Sequence, residues 1–197
     1  MLLRGSVRHG TATAGDEYRP FPEKADRNAR QQSLEVPLLV RCLGLRHRAR
    51  LLEVGCGAGV ALPVFHRLCA PELLVGLDID GVALEHAARR TALLHPSVQL
   101  IRADARSIPV CDEFFDAVVD FGTCYHIARS GDAVSEIERV LRTGGVFATE
   151  TKLNQFLSHP VRSRGRALHL HAAPALRLEK HCGLWISFEK VTHPGPR

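Results

Sequence analysis

A handful of polar residues fall at points where a chain can do chemistry. In "LLEVGCGAGVALP" (51–63) an apolar run carries one carboxylate, Glu53, and then turns through Gly55, Gly57 and Gly59. Glycine has no Cβ and takes positive φ freely, so such a turn lets the backbone approach a ligand closely. A dinucleotide fold would want G-x-G-x-x-G, with its last glycine at position 60. Here position 60 is Val60 and the third glycine is Gly59. A pyrophosphate would also meet Glu53 as a like charge at short range. A ligand carrying an ammonium group would instead be attracted to it.

Further carboxylates recur at the ends of later apolar runs. Asp78 closes "LLVGLD" and can accept hydrogen bonds from both hydroxyls of a ribose. Asp80 follows it as the expected cap of the next helix. Asp104 ends "VQLIRAD", where it can accept from an exocyclic amine such as that of adenine. Asp120 and Phe121 end "FDAVVDF", and Gly122 lets the chain bend into "TCYHI".

The elements that must position these residues alternate regularly. Short buried strands are expected at 49–55, 73–79, 98–104, 115–121 and 146–151. Helices are expected at about 59–68, 81–93 and 131–142, the last with Val134, Ile137, Val140 and Leu141 on one face. Strands alternating with helices imply a parallel sheet covered on both faces. Right-handed crossovers then put the ligand crevice at the carboxyl ends of the strands. Upstream, Pro22 to about Gly44 reads as helical, split or kinked by Pro37. Residues 1–20 read as a loose arm and 21–197 as a single domain. Its ligand-binding core is 45–151, and 152–197 form a C-terminal cover. In that cover "ALRLEKHCG" reads as one more helix and "LWISFEKV" as one more strand.

Taken together the motifs resemble those of the class I S-adenosylmethionine-dependent methyltransferases. "LLEVGCGAG" is similar to the first family motif and "VGLDID" to the second-strand acid. "IRADARSIPVCDEFFDAVVD" resembles the adenine loop and fourth strand. "EIERVLRTGGVFATE" resembles the helix and glycine-led fifth strand. The resemblance spans about residues 50–151 and implies an α/β, Rossmann-like, doubly wound, mostly parallel sheet with helices on both faces. It implies S-adenosyl-L-methionine as cofactor. Glu53 and the loop Gly55, Cys56 and Gly57 would hold the methionine part. Asp78 would hold the ribose, and Ile79 would pack on the adenine. Asp104 and Ala105 would bind the adenine edge, and the backbone near Asp120 and Phe121 would face the methionine amine. The family usually ends in an antiparallel pair of strands. With only "LWISFEKV" clear, the last strand is either missing or replaced by "ALHLHAA". Either case leaves the acceptor side open in one chain, a gap that a second copy in a homodimer could fill.

Methyl transfer from a sulfonium is an in-line displacement that needs mainly positioning. A base is required only if the acceptor must lose a proton. His126 is the candidate catalytic base, because imidazole titrates near neutrality. Tyr125 is the second catalytic candidate, able to orient an acceptor or meet the sulfonium by cation–π attraction. "FGTCYHI" departs from the Asn-Pro-Pro-Tyr pattern of enzymes that methylate exocyclic amines of bases or glutamine. It resembles the small-molecule branch. Arg27, Arg30, Gln31 and Gln32 lie in the segment that in related enzymes closes over the donor, where any could bind its carboxylate. His169 and His171 alternate in "LHLH" without a third ligand at a telling spacing, so no metal is expected.

Charge and composition bound the partners. Residues 51–151 hold eight Lys/Arg against fourteen Asp/Glu, while the flanks together carry a net +11. An acidic centre suits a cationic ligand, and basic flanks suit an anionic acceptor. Aromatics are sparse at 6%, which argues against base stacking by nucleic acid. No apolar run approaches a membrane span. "MLLRGSVRHGTATAGDEYRP" has no apolar leader, and six scattered cysteines without a CxxC pair read as reduced thiols of a cytoplasmic protein. The expected function is methyl transfer to a small molecule. Competing readings are an RNA or protein methyltransferase using the basic flanks, a catalytically silent donor-binding protein, and an NAD-dependent oxidoreductase.

Overall fold

The computed structural model describes residues 25–45, 47–151, 168–183 and 185–192. The expected arm at 1–20 and most of the basic stretch after Lys152 lie outside these residues. Seven strands form one sheet: β1 Arg50–Val54, β2 Leu73–Asp78, β3 Val98–Arg102, β4 Phe115–Asp120, β5 Leu141–Glu150, β6 Leu176–Cys182 and β7 Trp185–Lys190. Their order is β3-β2-β1-β4-β5-β7-β6. β1 to β5 run parallel, and β7 lies antiparallel between β5 and β6.

Both faces of the sheet are covered, which explains the continuous apolar runs. Leu51 of β1 packs into one core with Leu39, Phe65 and Trp185. Its neighbours Leu52 and Val54 pack into the other, with Val118, Ile137 and Phe147. Alternation along a strand therefore puts Glu53 on the face of Leu51. Helices α2 (Val36–Leu43) and α3 (Leu62–Cys69) supply buried residues to that core. Helix α5 (Ser130–Val140) covers the opposite face through Val134, Ile137 and Val140.

Pro37 neither splits nor ends the N-terminal helical stretch. Helix α1 (Ala25–Arg30) runs through a wider π turn at Gln31–Glu35 into α2. Val36 donates its N–H to Gln31 O, five residues back. This wide turn falls just before the proline, whose missing N–H interrupts the regular ladder.

The C-terminal expectations need correction. "ALRLEKHCG" is strand β6, not a helix, and the final antiparallel pair is present. Leu, Glu and Lys favour helix in isolation, but pairing with β7 across a turn at Gly183 (φ 64°) overrides that preference. Trp185 of β7 pairs with Glu150 at the carboxyl end of β5, so this chain closes its own sheet beyond β5. The fifth strand also begins earlier than expected, at Leu141, five residues before Val146. The cysteines differ too: Cys56, Cys69, Cys111 and Cys124 are free, but Cys42 is disulfide-bonded. Pairing across space leaves no mark in sequence spacing. Among the described residues no helix is long and apolar enough to cross a membrane.

Candidate active site

The site forms where β1, β2 and β4 end. After Val54 the chain leaves β1, and the N–H groups of Gly55 and Cys56 both donate to Leu77 O, at 2.7 and 2.9 Å. The turn is thereby tied to β2. Gly55 sits at φ 68°, and a Cβ there would lie 1.8 Å from Thr123 Oγ1. Only glycine allows the loop after β4 to come this close. Gly59 has φ 70°, and a Cβ there would lie 2.8 Å from Ala87 Cβ on α4 (Gly81–Thr91). The G-x-G-x-G spacing thus packs the turn against two separate elements. At Gly57 the space beyond the missing Cβ is open.

Asp78 is buried and braced from both sides. Oδ2 accepts the Gly57 N–H at 2.7 Å, and Oδ1 accepts the Asp80 N–H at 2.9 Å. Each oxygen keeps a second lone-pair direction for a ligand hydroxyl. Asp80 caps α4 as expected, accepting from Val82 and Ala83. Ile79 follows with its side chain 40% exposed, unusual for an isoleucine flanking a buried strand end. Asp104 is gripped by Arg106, with Nη2 to Oδ2 at 2.6 Å and the backbone N–H to Oδ1 at 2.8 Å. Burial pushes its pKa up, but the bonds from Arg106 outweigh that and hold it below the usual carboxylate value. Ala105 beside it is buried.

Glu53 is the anomaly of the site. It is 2% exposed, and its Oε2 has no hydrogen-bond partner. Burial pushes its pKa far above the ordinary value; Asp78 adds to this, Arg27 opposes it, and Asp120 adds again. A buried acceptor without a donor is costly. The arrangement is relieved by a ligand that brings a cationic donor, and an ammonium group fits that need. The donor set therefore suits S-adenosyl-L-methionine.

Asp120 is fully buried, but its carboxylate turns to the protein. It accepts from Thr123 N at 2.6 Å, Cys124 N at 3.3 Å and Thr149 Oγ1 at 3.1 Å. It thus caps the short 3₁₀ turn Thr123–His126. Burial raises its pKa, and these bonds offset part of the rise. Phe121 is buried edge-to-face on Trp185, with centroids 4.7 Å apart. Tyr125 donates its hydroxyl to Glu150 O at 3.0 Å, and burial pushes its pKa up to about 12. His126, half-buried, has its pKa held below normal by burial and then by the charge of Arg27.

The N-terminal helix covers this end of the sheet. Gln32 donates Nε2 to Val60 O at 3.2 Å, which ties the helix to the glycine loop. Gln31 is buried, and Arg30 pairs with Glu35 at 2.8 Å. Arg27 acts on both Glu53 and His126. Three residues here carried no role in the sequence reading: Thr123, Thr149 and Glu150. The close fit of Thr123 on Gly55 had one available signal, the first glycine itself. Thr149 and Glu150 end β5 in register with Ile186 and Trp185, a pairing without local sequence signature. His169 and His171 lie side by side with ring centroids 5.4 Å apart and planes tilted by 40°, and no group of three potential metal ligands occurs among the described residues.

This sheet order with its glycine turn and strand-end acids defines a class I S-adenosylmethionine-dependent methyltransferase, and the chain belongs to that family. Residues 52–149 match the family described as "Methyltransferase domain". The chain is similar to a fatty-acid O-methyltransferase of Mycolicibacterium smegmatis, 33% identical over 98 residues, covering 50% of this chain and 35% of that one. A probable S-adenosylmethionine-dependent methyltransferase of the same organism is 31% identical over 136 residues, 68% of this chain and 49% of that one. The chain thus spans half or less of the length of these relatives. In fold it is similar to a putative methyltransferase from Methanococcus maripaludis, with TM-score 0.68, 15% identity, and coverage of 91% of this chain and all of that one.

Proposed function

We propose that this chain transfers a methyl group from S-adenosyl-L-methionine to a small, largely apolar acceptor. The observation that carries the reading is the buried, unpartnered oxygen of Glu53 beside the braced carboxylate of Asp78. The cofactor, when bound, supplies a methyl group already activated on a sulfonium. In this reading Glu53 and the turn Gly55–Gly57 hold the ammonium end, Asp78 holds the ribose, and Ile79, Asp104 and Ala105 hold the adenine. The side chain of Asp120 keeps the turn after β4 in place, which sets the backbone near Phe121 and the position of His126. Tyr125 serves this placement through Glu150, and His126 is the titratable group at the reacting end. The fatty-acid O-methyltransferase relative supports an apolar acceptor. NAD recognition is disfavoured by Glu53 and by Val60 in place of a third spaced glycine.

Calorimetry with S-adenosylhomocysteine and with NAD tests the donor. Binding of the first alone is expected. Binding of NAD alone overturns the reading. Label from methyl-labelled donor, counted in organic extracts, then tests for turnover.

A further inference from the structure

Asp104 lies two residues beyond β3, in the loop that leads to β4. Its place is set from the neighbouring strand: Ala103 donates its N–H to Asp78 O at 3.0 Å, beside the carboxylate assigned to the ribose. Its direction is set by Arg106. Nε is shared between Oδ1 and Oδ2 at 3.0 and 3.1 Å, Nη2 reaches Oδ2 at 2.6 Å, and the backbone N–H reaches Oδ1 at 2.8 Å. A planar fork that meets both oxygens fixes the plane of a carboxylate as well as its position. A carboxylate offers about four acceptor directions. The three N–H groups of Arg106 fill three of them. The direction that remains belongs to the more exposed partner, since the Asp104 side chain is 31% exposed and that of Arg106 13%. The loop beyond is fastened separately. Ile108 donates its N–H to Glu136 Oε2 at 2.8 Å, and Arg139 Nη2 donates to Ile108 O at 2.7 Å. The Arg106 side chain therefore acts on the Asp104 carboxylate rather than on the course of the chain.

We propose that the Arg106 side chain makes the donor site selective for a purine that carries an amine, by aiming the remaining acceptor direction of Asp104 at that amine. This rests on the reading above that Asp104 meets the adenine. An aspartate is ionised at neutral pH without help, so the arginine contributes orientation and not charge state. A carboxylate free to turn on an exposed loop would spread over its rotamers and meet water. Binding would then have to order it, at a cost in side-chain entropy. The fork orders it when the protein folds. The Asp104 anion accepts hydrogen bonds only, so a base with a hydrogen or a carbonyl at that place gains nothing from it. Arg106 is thus a positioning residue that acts on the donor through Asp104.

The test compares two ligands by calorimetry on the full chain: S-adenosylhomocysteine and its analogue with hydrogen in place of the adenine amine. The two differ only at the group that Asp104 is proposed to read. The parent is expected to favour the amine by about tenfold or more, the scale of a hydrogen bond to a charged group. In Arg106→Met the ratio is expected to fall to about threefold or less, through weaker binding of S-adenosylhomocysteine with the analogue unchanged. Arg106→Lys keeps a charge without the fork and should fall between the two. In Asp104→Ala the preference should vanish. A parent ratio kept in Arg106→Met, with both ligands weakened equally or not at all, overturns the proposal and leaves the arginine a structural part of the loop. Where only the lysine variant folds, the parent ratio in it overturns the proposal in the same way. A wider ratio overturns it too, because the arginine then competes with the amine for Asp104. A parent without preference, or a preference that survives in Asp104→Ala, overturns the assignment of Asp104 to the adenine and the proposal with it. No binding of S-adenosylhomocysteine overturns the methyltransferase reading beneath both.

Discussion

The N–H of Gly57 donates to Asp78 Oδ2 at 2.7 Å, so the middle of the glycine turn and the carboxylate at the end of β2 form one unit. The bond spans 21 residues and crosses two parallel strands' ends. It aims Asp78 before any ligand arrives, which lowers the ordering cost of binding.

Asp78→Ala is therefore expected to weaken S-adenosylhomocysteine binding by at least ~1 kcal/mol, the scale of a lost hydrogen bond to a charged group. Two sources are expected, loss of the proposed ribose contact and a freed Gly57 N–H. Asp78→Asn keeps one acceptor oxygen and should lose less than Asp78→Ala. Calorimetry on the folded variants separates these outcomes, and unchanged affinity in Asp78→Ala removes the residue from the site.

Gly55→Ala should disrupt the turn from two directions. The φ of 68° is strained for alanine, and its Cβ would lie 1.8 Å from Thr123 Oγ1. A loss of about 2–4 kcal/mol in unfolding free energy is expected, the range for backbone strain plus overpacking. Adding Thr123→Gly should return part of it, since the steric conflict goes while the strained φ stays. Denaturant unfolding of the two variants measures the split.

Most of this site was legible because its residues end strands, and strands in a two-sided parallel sheet are written as apolar runs. Glu53, Asp78, Asp104 and Asp120 each stand out as a charge closing such a run. What the sequence could not express was direction. Asp120 ends β4, where only its backbone was expected to face a ligand, and nothing local foretold that its carboxylate would hold Thr123, Cys124 and Thr149. Tyr125 lies in the expected loop, but its hydroxyl is spent on Glu150 O. The fold was misread where long-range pairing decides: "ALRLEKHCG" carries helical residues and becomes β6 because β7 lies beside it. The final pair of strands, absent from the local pattern, is present in space.

Arg139 ties α5 to residues 108–112 of the loop between β3 and β4. It donates to Ile108 O and Val110 O at 2.7 and 2.8 Å and pairs with Glu136 and Asp112 at 2.7 Å each. Arg139→Ala leaves two carbonyls and two carboxylates short of a donor. A loss of about 2–4 kcal/mol is expected. Denaturant unfolding of the variant measures this loss.

Glu53 links stability and donor binding with opposite signs. Burial, reinforced by Asp78, raises its pKa in the folded protein, so the folded state favours the protonated acid. The stability this gives is fully present below the unfolded carboxylate value. It is lost as pH rises toward and through the raised folded value, where charge must be carried without a partner. Glu53→Gln removes that ionisation. At neutral pH the ligand-free variant is expected to melt higher than the parent, by about 2–4 °C for each kcal/mol recovered. In the proposed role of Glu53 the same change removes the anion for the donor's ammonium, so S-adenosylhomocysteine affinity is expected to fall by about tenfold or more. In the parent that affinity should increase with pH as Glu53 ionises, with net proton release on binding. Calorimetry in two buffers of different ionisation enthalpy reads the proton count. A release that persists unchanged in Glu53→Gln would assign the proton to another group.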